Sequence, residues 1–465
     1  MRARAMFLGL VLVPLLSGAG TAADTYSHQE YFEHYAGTAT CLECHREAAE
    51  AFFHSQHYQW LGEAPAIAGA KDRKLGKLNT VNDFCTNPAA NWIGRTTNVE
   101  GKVLARGCSA CHAGLGRLPS PELSEEQLLN IDCLICHAQG YRRDVYQRDD
   151  GTWEWRPILY KNQRGLDSVA GRITLPQRGM CLRCHANAGG GPNFKRGDIE
   201  YAQADCGVDF DVHMATDGAD LQCIDCHAGE DHRVLGRGAD LSATDSPGHG
   251  LDCTVCHTGE VHRVAVLDHH TARVHCTTCH IPTYAKGDPT DLRRDWSTPL
   301  YHPDGDKYSA TITFGRDVTP GYAWFDGRTR TQFLGEPVKP LADGRVAIMQ
   351  PACKPRGKGA KIHPFKVHTG RLPVLKDRRW LVPLKVEEFF ADGDLAKAVR
   401  EGAEATYGLA DPEVEWVETV RYMGLYHEVA PAAQALTCLD CHREGGRLDW
   451  QALGYAHDPL LDDLD

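Results

Sequence analysis

Residues 41–45 read Cys41-Leu42-Glu43-Cys44-His45, two cysteines three positions apart followed at once by a histidine. Seven further pentapeptides of the form Cys-x-x-Cys-His begin at Cys108, Cys133, Cys181, Cys223, Cys253, Cys276 and Cys438. We number these motifs 1 to 8 in chain order. They take up all but three of the 19 cysteines, and those three are Cys85, Cys206 and Cys353.

The pentapeptide has the spacing of a c-type haem attachment site. Its two thiols can add to the two vinyl groups along one haem edge, while the adjacent histidine reaches the iron. A single copy would leave a disulfide framework, a zinc ribbon or a thioredoxin-like redox pair open. Eight copies that all end in histidine indicate eight covalently bound haems c, each with its iron.

The attachment cysteines of the eight motifs are Cys41, Cys44, Cys108, Cys111, Cys133, Cys136, Cys181, Cys184, Cys223, Cys226, Cys253, Cys256, Cys276, Cys279, Cys438 and Cys441. The corresponding proximal iron ligands are His45, His112, His137, His185, His227, His257, His280 and His442.

Composition and charge exclude several classes of protein. The 465 residues are 42% hydrophobic and 24% charged, which is typical of a globular chain. A formal net charge of −12 argues against a nucleic-acid partner, since phosphate binding needs clustered lysine and arginine. No second long apolar run follows the N-terminus, so we expect no transmembrane span in the mature chain.

The N-terminus predicts export. Arg2 and Arg4 precede an apolar run over residues 6–16, and small residues follow up to Ala23. This arrangement is typical of a secretory signal peptide, here residues 1–23, cleaved close to Asp24. A retained amphipathic anchor is the alternative. Export predicts a periplasmic location.

The fold is predicted to be mainly α with much irregular structure, around a core that consists largely of packed haem. Haems are buried apolar plates and can replace an aliphatic core. The predicted domains are a multihaem domain over residues 24–290 with motifs 1–7, a haem-free α+β insert over 291–427, and a C-terminal segment over 428–465 with motif 8. In the insert, strands are predicted at 311–314, 322–325 and 346–349, and helices at 394–407 and 413–426.

Sixteen histidines lie outside the motifs, and low-spin haems commonly take one as a second, distal ligand. The candidate distal ligands are His54, His57, His213, His232, His262, His275, His363 and His427. His54 and His57 lie on a helix predicted from Glu43 to Trp60. For each candidate, an ordinary hydrogen-bonded histidine is the alternative.

The chain resembles the tetrathionate reductase family of octahaem cytochromes c over nearly all of its mature length. The matching segments are residues 82–85 (NDFC), 189–198 (GGGPNFKRGD), 211–214 (DVHM), 279–286 (CHIPTYAK), 295–297 (DWS), 363–367 (HPFKV) and 446–455 (GRLDWQALGY).

The resemblance implies one catalytic haem, attached by motif 2, whose distal ligand is a lysine rather than a histidine. The matching lysine is Lys195, and the matching cysteine and asparagine of the active site are Cys85 and Asn82. Asp83 and Arg196 depart from the family pattern, which has asparagine and histidine there. A thiolate attacks sulfur–sulfur bonds, which suits Cys85 to a sulfur substrate, although a disulfide to Cys206 or Cys353 is the structural alternative.

The function that the resemblance implies is an oxidoreductase that passes electrons along bis-histidine haems to the lysine-ligated haem and reduces tetrathionate. Nitrite and hydroxylamine are further substrates associated with the family. The expected partners are a small oxyanion or nitrogen-oxide substrate and a periplasmic redox partner or quinol-linked donor, with Lys195, Lys286 and Arg196 supplying positive charge. The alternatives are a non-catalytic electron-transfer conduit and an oxidase of hydroxylamine or hydrazine.

Overall fold

The computed structural model describes residues 25–70, 73–85, 87–158, 165–234, 236 and 251–463. The predicted signal peptide lies outside these residues. The α-helices of the described residues, α1 to α11, are Thr38–Phe53, Glu125–Leu129, Leu134–His137, Leu166–Ala170, Arg178–His185, Cys223–Cys226, Ala265–His270, Cys276–His280, Val386–Asp392, Leu395–Tyr407 and Cys438–Cys441. Short 3-10 helices occupy Cys108–Ala110, Tyr201–Ala204, Cys253–Val255, Pro303–Gly305, Ala432–Gln434 and Pro459–Asp463.

The strands of the same residues, β1 to β15, are Thr25–Ser27, Thr96–Thr97, Val103–Ala105, Arg143–Gln147, Trp153–Pro157, Arg172–Thr174, Gly229–Glu230, Arg233–Val234, Thr290–His302, Lys307–Gly315, Gly321–Phe325, Thr329–Thr331, Val346–Pro351, Lys361–Leu375 and Val414–Gly424.

The prediction of a mainly α fold is wrong. The protein is 23% helix and 24% strand, and its largest element is a seven-stranded sheet in the order β10-β9-β14-β15-β13-β12, with β11 also paired to β14. Strand β14 is 15 residues long and pairs antiparallel with β15 along 11 of them. Apart from α1, which carries motif 1, the motif-bearing helices are short, with four residues each in α3, α6 and α11.

The three strands predicted between residues 311 and 349 are present as β10, β11 and β13, and the predicted helix at 394–407 is present as α10. Asp394 caps α10 by accepting a hydrogen bond from the Lys397 backbone, and Gly408 ends it in the left-handed region.

The predicted helix at 413–426 is strand β15 instead. Valine, threonine and aromatic residues dominate this stretch, and they favour a strand once a partner such as β14 is available.

The helix predicted from Glu43 to Trp60 ends earlier, at Phe53, so His54 caps it and His57 lies beyond it. The chain turns back there because Tyr58 is wholly buried, and its hydroxyl donates to the carbonyl oxygen of Gln127 at 2.9 Å.

A conventional hydrophobic core lies between the sheet and helices α9 and α10. Ile348, Val374, Phe389 and Ala403 are among its fully or almost fully buried members. The motif-bearing part of the chain has only smaller apolar clusters, such as the one around Leu134 and Tyr141. Among the described helices the longest has 16 residues, and none combines the length and apolar character needed to cross a membrane.

Candidate functional site: a histidine-lined cavity

The motifs share one local conformation. Each lies in or beside a short helical turn, such as α5 for motif 4, α8 for motif 7 and Cys108–Ala110 for motif 2. One helical turn brings residues three apart to the same face, so both cysteines of a motif project in one direction. This is the arrangement that two thioether bonds to a single flat cofactor require.

One cavity of about 3160 Å³ is lined by cysteines and histidines of motifs 1 to 7. An ordinary small-molecule pocket measures roughly 300–1,000 Å³. The space is therefore of the size expected for several large cofactors, and the residues that line it are the predicted attachment residues.

Seven motif histidines each face a histidine from elsewhere in the chain, with ring centroids 6.1 to 6.4 Å apart. Imidazole nitrogens bind metals at about 2.0 Å, so two rings on opposite sides of one metal have centroids roughly 6.3 Å apart. The pairs, with the motif histidine second, are His28–His45, His232–His137, His57–His185, His427–His227, His213–His257, His262–His280 and His270–His442.

Hydrogen bonds orient several of these rings. Nδ1 of His137 bonds to the carbonyl oxygen of Thr174 at 3.0 Å, and Nδ1 of His270 bonds to that of Val266 at 2.8 Å. Carboxylates hold Nδ1 of three others, His262 with Asp268, His427 with Asp198 and His442 with Asp458. Metal-binding histidines are usually held in this way, with Nε2 left for the metal. The donor set and its geometry fit haem iron.

Five of the eight candidate distal histidines lie in these pairs, namely His57, His213, His232, His262 and His427. The other three lie elsewhere. His275 and His363 face each other at 4.5 Å, which is too close for an iron between them, and the His54 ring contacts Phe53. The structure brings in His28 and His270, which sequence reasoning did not select. Each is near a motif in sequence, but so are histidines that are not paired in this way.

Motif 2 differs from the other seven. Among the described residues, the aromatic rings within contact distance of His112 are those of Tyr58, Trp60 and Trp92, and none is a histidine. His112 Nε2 contacts the carbonyl oxygen of Tyr58. The other ring nitrogen, Nδ1, is buried and has no hydrogen-bond partner among the residues that the structure describes. Burial lowers the pKa of His112 to about 4, so the ring is neutral, as metal binding requires.

Lys195, Cys85 and Asn82 line the same cavity as His112. Lys195 follows motif 4 in a compact loop over residues 186–198, where its backbone donates to the carbonyl oxygen of Ala188 at 3.1 Å. Gly189 has φ +91°, and a Cβ there would lie 3.1 Å from the Lys195 Cβ, so only glycine fits this turn comfortably.

The other two predicted cations bind neighbouring groups of the protein, although Arg196 also lines the cavity. Lys286 donates to the carbonyl oxygens of Phe210 and Glu428 at 2.7 and 3.0 Å, and Arg196 pairs with Asp198 at 3.3 Å. Among the described residues no disulfide joins Cys85, Cys206 and Cys353. The Cys353 thiol instead donates to the carbonyl oxygen of Trp324 at 3.1 Å.

Glu387 is a buried carboxyl in the cavity wall, close to Cys108 and hydrogen-bonded to Asn91. Its Oε2 is buried and has no hydrogen-bond partner within the described chain. Burial raises the pKa of Glu387 to about 7. The sequence contains no signal that distinguishes this glutamate from its neighbour Glu388.

We expect the Glu387→Gln variant to be more stable than the parent protein above pH 7. The unfolded carboxyl ionises near its ordinary pKa of 4.5, whereas the folded one stays protonated up to about pH 7. Folding stability is therefore lost as pH rises from 4.5 to 7, by up to about 3 kcal/mol. Glutamine does not titrate, so thermal unfolding of the haem-loaded variant at pH 5 and pH 8 should show a smaller loss.

Glu388→Gln is the matched control. Its hydrogen bond to Lys397 lowers the pKa of Glu388, so that variant should lose stability at pH 8 rather than gain it. Identical pH dependence in the Glu387→Gln variant and the parent would contradict the assignment.

Repeated Cys-x-x-Cys-His turns around one cavity, with seven histidine pairs at a metal-spanning distance, define a protein that holds several haems by covalent attachment. The comparisons with known proteins agree. A family model described as "Cytochrome c bacterial" matches residues 296–445. The solved structure of an octaheme cytochrome c from Shewanella oneidensis superimposes with a TM-score of 0.74 at 30% identity, covering 92% of this chain and 95% of that one.

A protein of Archaeoglobus fulgidus described as uncharacterized is 35% identical over 246 residues, which are 46% of this chain and 80% of that protein. The chain belongs to the multihaem c-type cytochromes.

Proposed function

We propose that this protein is an exported octahaem cytochrome c reductase, in which seven bis-histidine haems deliver electrons to a catalytic haem attached by motif 2. The observation that carries the proposal is the difference between His112 and the other seven motif histidines. Those seven each face a histidine in the described structure. The described rings around His112 are Tyr58, Trp60 and Trp92 instead. The cavity that motifs 1 to 7 line also contains Lys195, Cys85 and Asn82. The similarity to the octaheme cytochrome c of Shewanella oneidensis supports a count of eight haems.

Contacts between cysteines of different motifs support an electron route. Hydrogen-bonding contacts join Cys41 to Cys133, Cys111 to Cys184, Cys181 to Cys223, and Cys253 to Cys276. Each sulfur is bonded to its own haem when the cofactor is attached, so a contact between sulfurs brings two haem edges together. These contacts make neighbours of four pairs of motifs, namely 1 and 3, 2 and 4, 4 and 5, and 6 and 7.

Three further pairs of cysteines in the described structure lie near each other without a hydrogen bond, and they connect the remaining motifs. Cys136 of motif 3 lies near Cys184 of motif 4, Cys226 lies near Cys256, and Cys279 lies near Cys441. The motifs then form a series 1-3-4-5-6-7-8, with motif 2 joined to motif 4. In this arrangement electrons from either end of the series reach motif 2 through motif 4.

The roles of the chain's own residues at motif 2 follow from their chemistry. The haem supplies redox equivalents and an iron site. Lys195 would hold that iron as a neutral amine, and once released it would carry a positive charge that favours an anionic substrate beside it. Cys85 and Asn82 hold the substrate in the cavity, and the Cys85 thiolate suits a sulfur–sulfur bond. Tetrathionate is therefore the proposed substrate, with nitrite and hydroxylamine as further candidates.

The Lys195→Ala variant tests this function. We expect turnover to fall by about 10²-fold, the size of effect typical for loss of one preorganised charge or donor. The electron paramagnetic resonance signal of one haem should change and the other signals should persist. Activity is measured with tetrathionate, nitrite and hydroxylamine in turn.

Lys376→Ala, an exposed lysine on the same chain, is the control and should behave as the parent protein. Unchanged spectra and unchanged electron transfer in Lys195→Ala would favour the electron-transfer conduit over the reductase.

A further inference from the structure

Two buried cations of the large sheet, Lys366 and Arg294, donate hydrogen bonds to the loop that carries Lys195. Lys366, on β14, is fully buried, and its Nζ donates to the carbonyl oxygens of Phe194 at 2.7 Å and of Lys195 at 2.9 Å. The third partner of Nζ is the Thr290 hydroxyl, which itself donates to the carbonyl oxygen of Asn193. An ammonium group has three donors, so all of them are used here.

Arg294, on β9, holds this loop and the segment before Cys85 at the same time. Its Nη2 donates to the carbonyl oxygen of Gly189 at 3.0 Å, and its Nη1 donates to the carbonyl oxygen of Phe84. Its Nε pairs with Asp291 at 2.7 Å. One planar guanidinium thus fixes the distance between two loops that approach the cavity from separate parts of the chain.

The segment before Cys85 has further supports from the same sheet. The Asp83 carboxylate pairs with Arg421 on β15 at 2.7 Å and with His368 on β14 at 3.0 Å. The indole nitrogen of Trp296 donates to the Asp83 carbonyl oxygen at 2.8 Å. Burial alone raises the pKa of Asp83, but Arg421 and His368 more than offset this and hold it below its usual value.

Burying so much charge costs free energy that an apolar core would not. The hydrophobic core between the sheet and its helices consists of aliphatic and aromatic side chains, so these buried charges are not part of it. Lys366 donates hydrogen bonds to two backbone oxygens and a hydroxyl, so its main effect is to fix the course of a loop. Burial lowers the pKa of Lys366 to about 7, with Asp291 acting in the opposite direction.

We propose that Lys366 and Arg294 are positioning residues for the motif 2 site, holding the backbone of residues 189–195 so that the Lys195 amine reaches the iron. The inference rests on the proposed ligation by Lys195 and adds a role for the haem-free sheet. It predicts that the strength of the lysine ligation depends on Lys366, a side chain of the sheet that is buried beneath the Lys195 loop.

The test is the haem-loaded Lys366→Met variant, which keeps the length of the side chain and removes its donors. We expect the paramagnetic resonance signal assigned through Lys195→Ala to weaken or shift while the other signals persist. Cyanide should bind the oxidised protein at least about 10-fold more tightly, because a poorly held Lys195 competes less well for the iron. Lys376→Met is the matched control and should match the parent in both measurements.

A second variant covers the case in which Lys366→Met does not fold. Thr290→Val keeps the shape of a β-branched residue on β9 and removes one acceptor of Lys366, so it should move both readouts in the same direction by less. If the folded variants retain the parent signal and cyanide affinity while Lys195→Ala changes the signal, the positioning role is wrong and the ligation stands. If Lys195→Ala also changes nothing, the proposed ligation itself fails.

Discussion

Chain produced without covalent haem attachment will show no cooperative unfolding transition and little fixed tertiary structure over its motif-bearing region. The cavity of about 3160 Å³ has to be filled by something other than protein. The net stability of a typical protein is only roughly 5–15 kcal/mol, so a chain that lacks the apolar contacts of several haems has too little left to hold this region folded.

Local structure does not compensate for the missing cofactor. The helices that carry motifs 3, 5 and 8 have four residues each, far below the length at which an isolated helix is stable. Their positions depend on bonds to haem and on iron between histidine pairs.

The experiment compares haem-free chain, made in a host without the attachment machinery, with holoprotein of the same sequence. Near-ultraviolet circular dichroism and thermal unfolding are the measurements. The holoprotein should give a sharp transition, and the haem-free chain should give none over the motif-bearing region. A haem-free chain with a native-like near-ultraviolet spectrum would contradict the claim that haem forms the core there.

The second large effect is expected at motif 4, in the His57→Met variant. His57 faces His185, and Cys184 of the same motif contacts Cys111 of motif 2. Replacing an axial histidine by methionine raises the reduction potential of the haem. A rise of roughly 0.2 V would make electron transfer from motif 4 onward to motif 2 about 10³-fold less favourable, at 59 mV for each factor of ten.

Steady-state turnover should therefore fall by orders of magnitude although motif 2 and Lys195 are intact. The same substitution at the two ends of the series, His28→Met and His270→Met, provides controls. Electrons from a donor at one end need not pass the other, so at least one end variant should retain near-parent turnover. Full turnover in His57→Met, with an altered spectrum for one haem, would refute the route through motif 4.

The motifs and their chemistry could be predicted from the sequence because they are local. Each motif places two thiols and an imidazole within five residues, and the repetition of this pattern eight times indicates haem attachment whatever the fold. The capped helix α10 is equally local, since Asp394 and Gly408 mark both its ends. The assignment of Lys195, Cys85 and Asn82 came from resemblance to a family, and their roles stay a prediction.

Only the tertiary structure decided which histidines face one another and how the segment between motifs 7 and 8 packs. His57 and His185, or His227 and His427, are far apart in the chain, and no local pattern separates them from His275 and His363. Residues Val414–Gly424 form strand β15 because β14 lies beside them and pairs with their backbone. Lys366 and Arg294 reach the Lys195 loop because strands β14 and β9 lie side by side. Each of these outcomes depends on contacts between distant residues, whereas the covalent motif depends on neighbours along the chain.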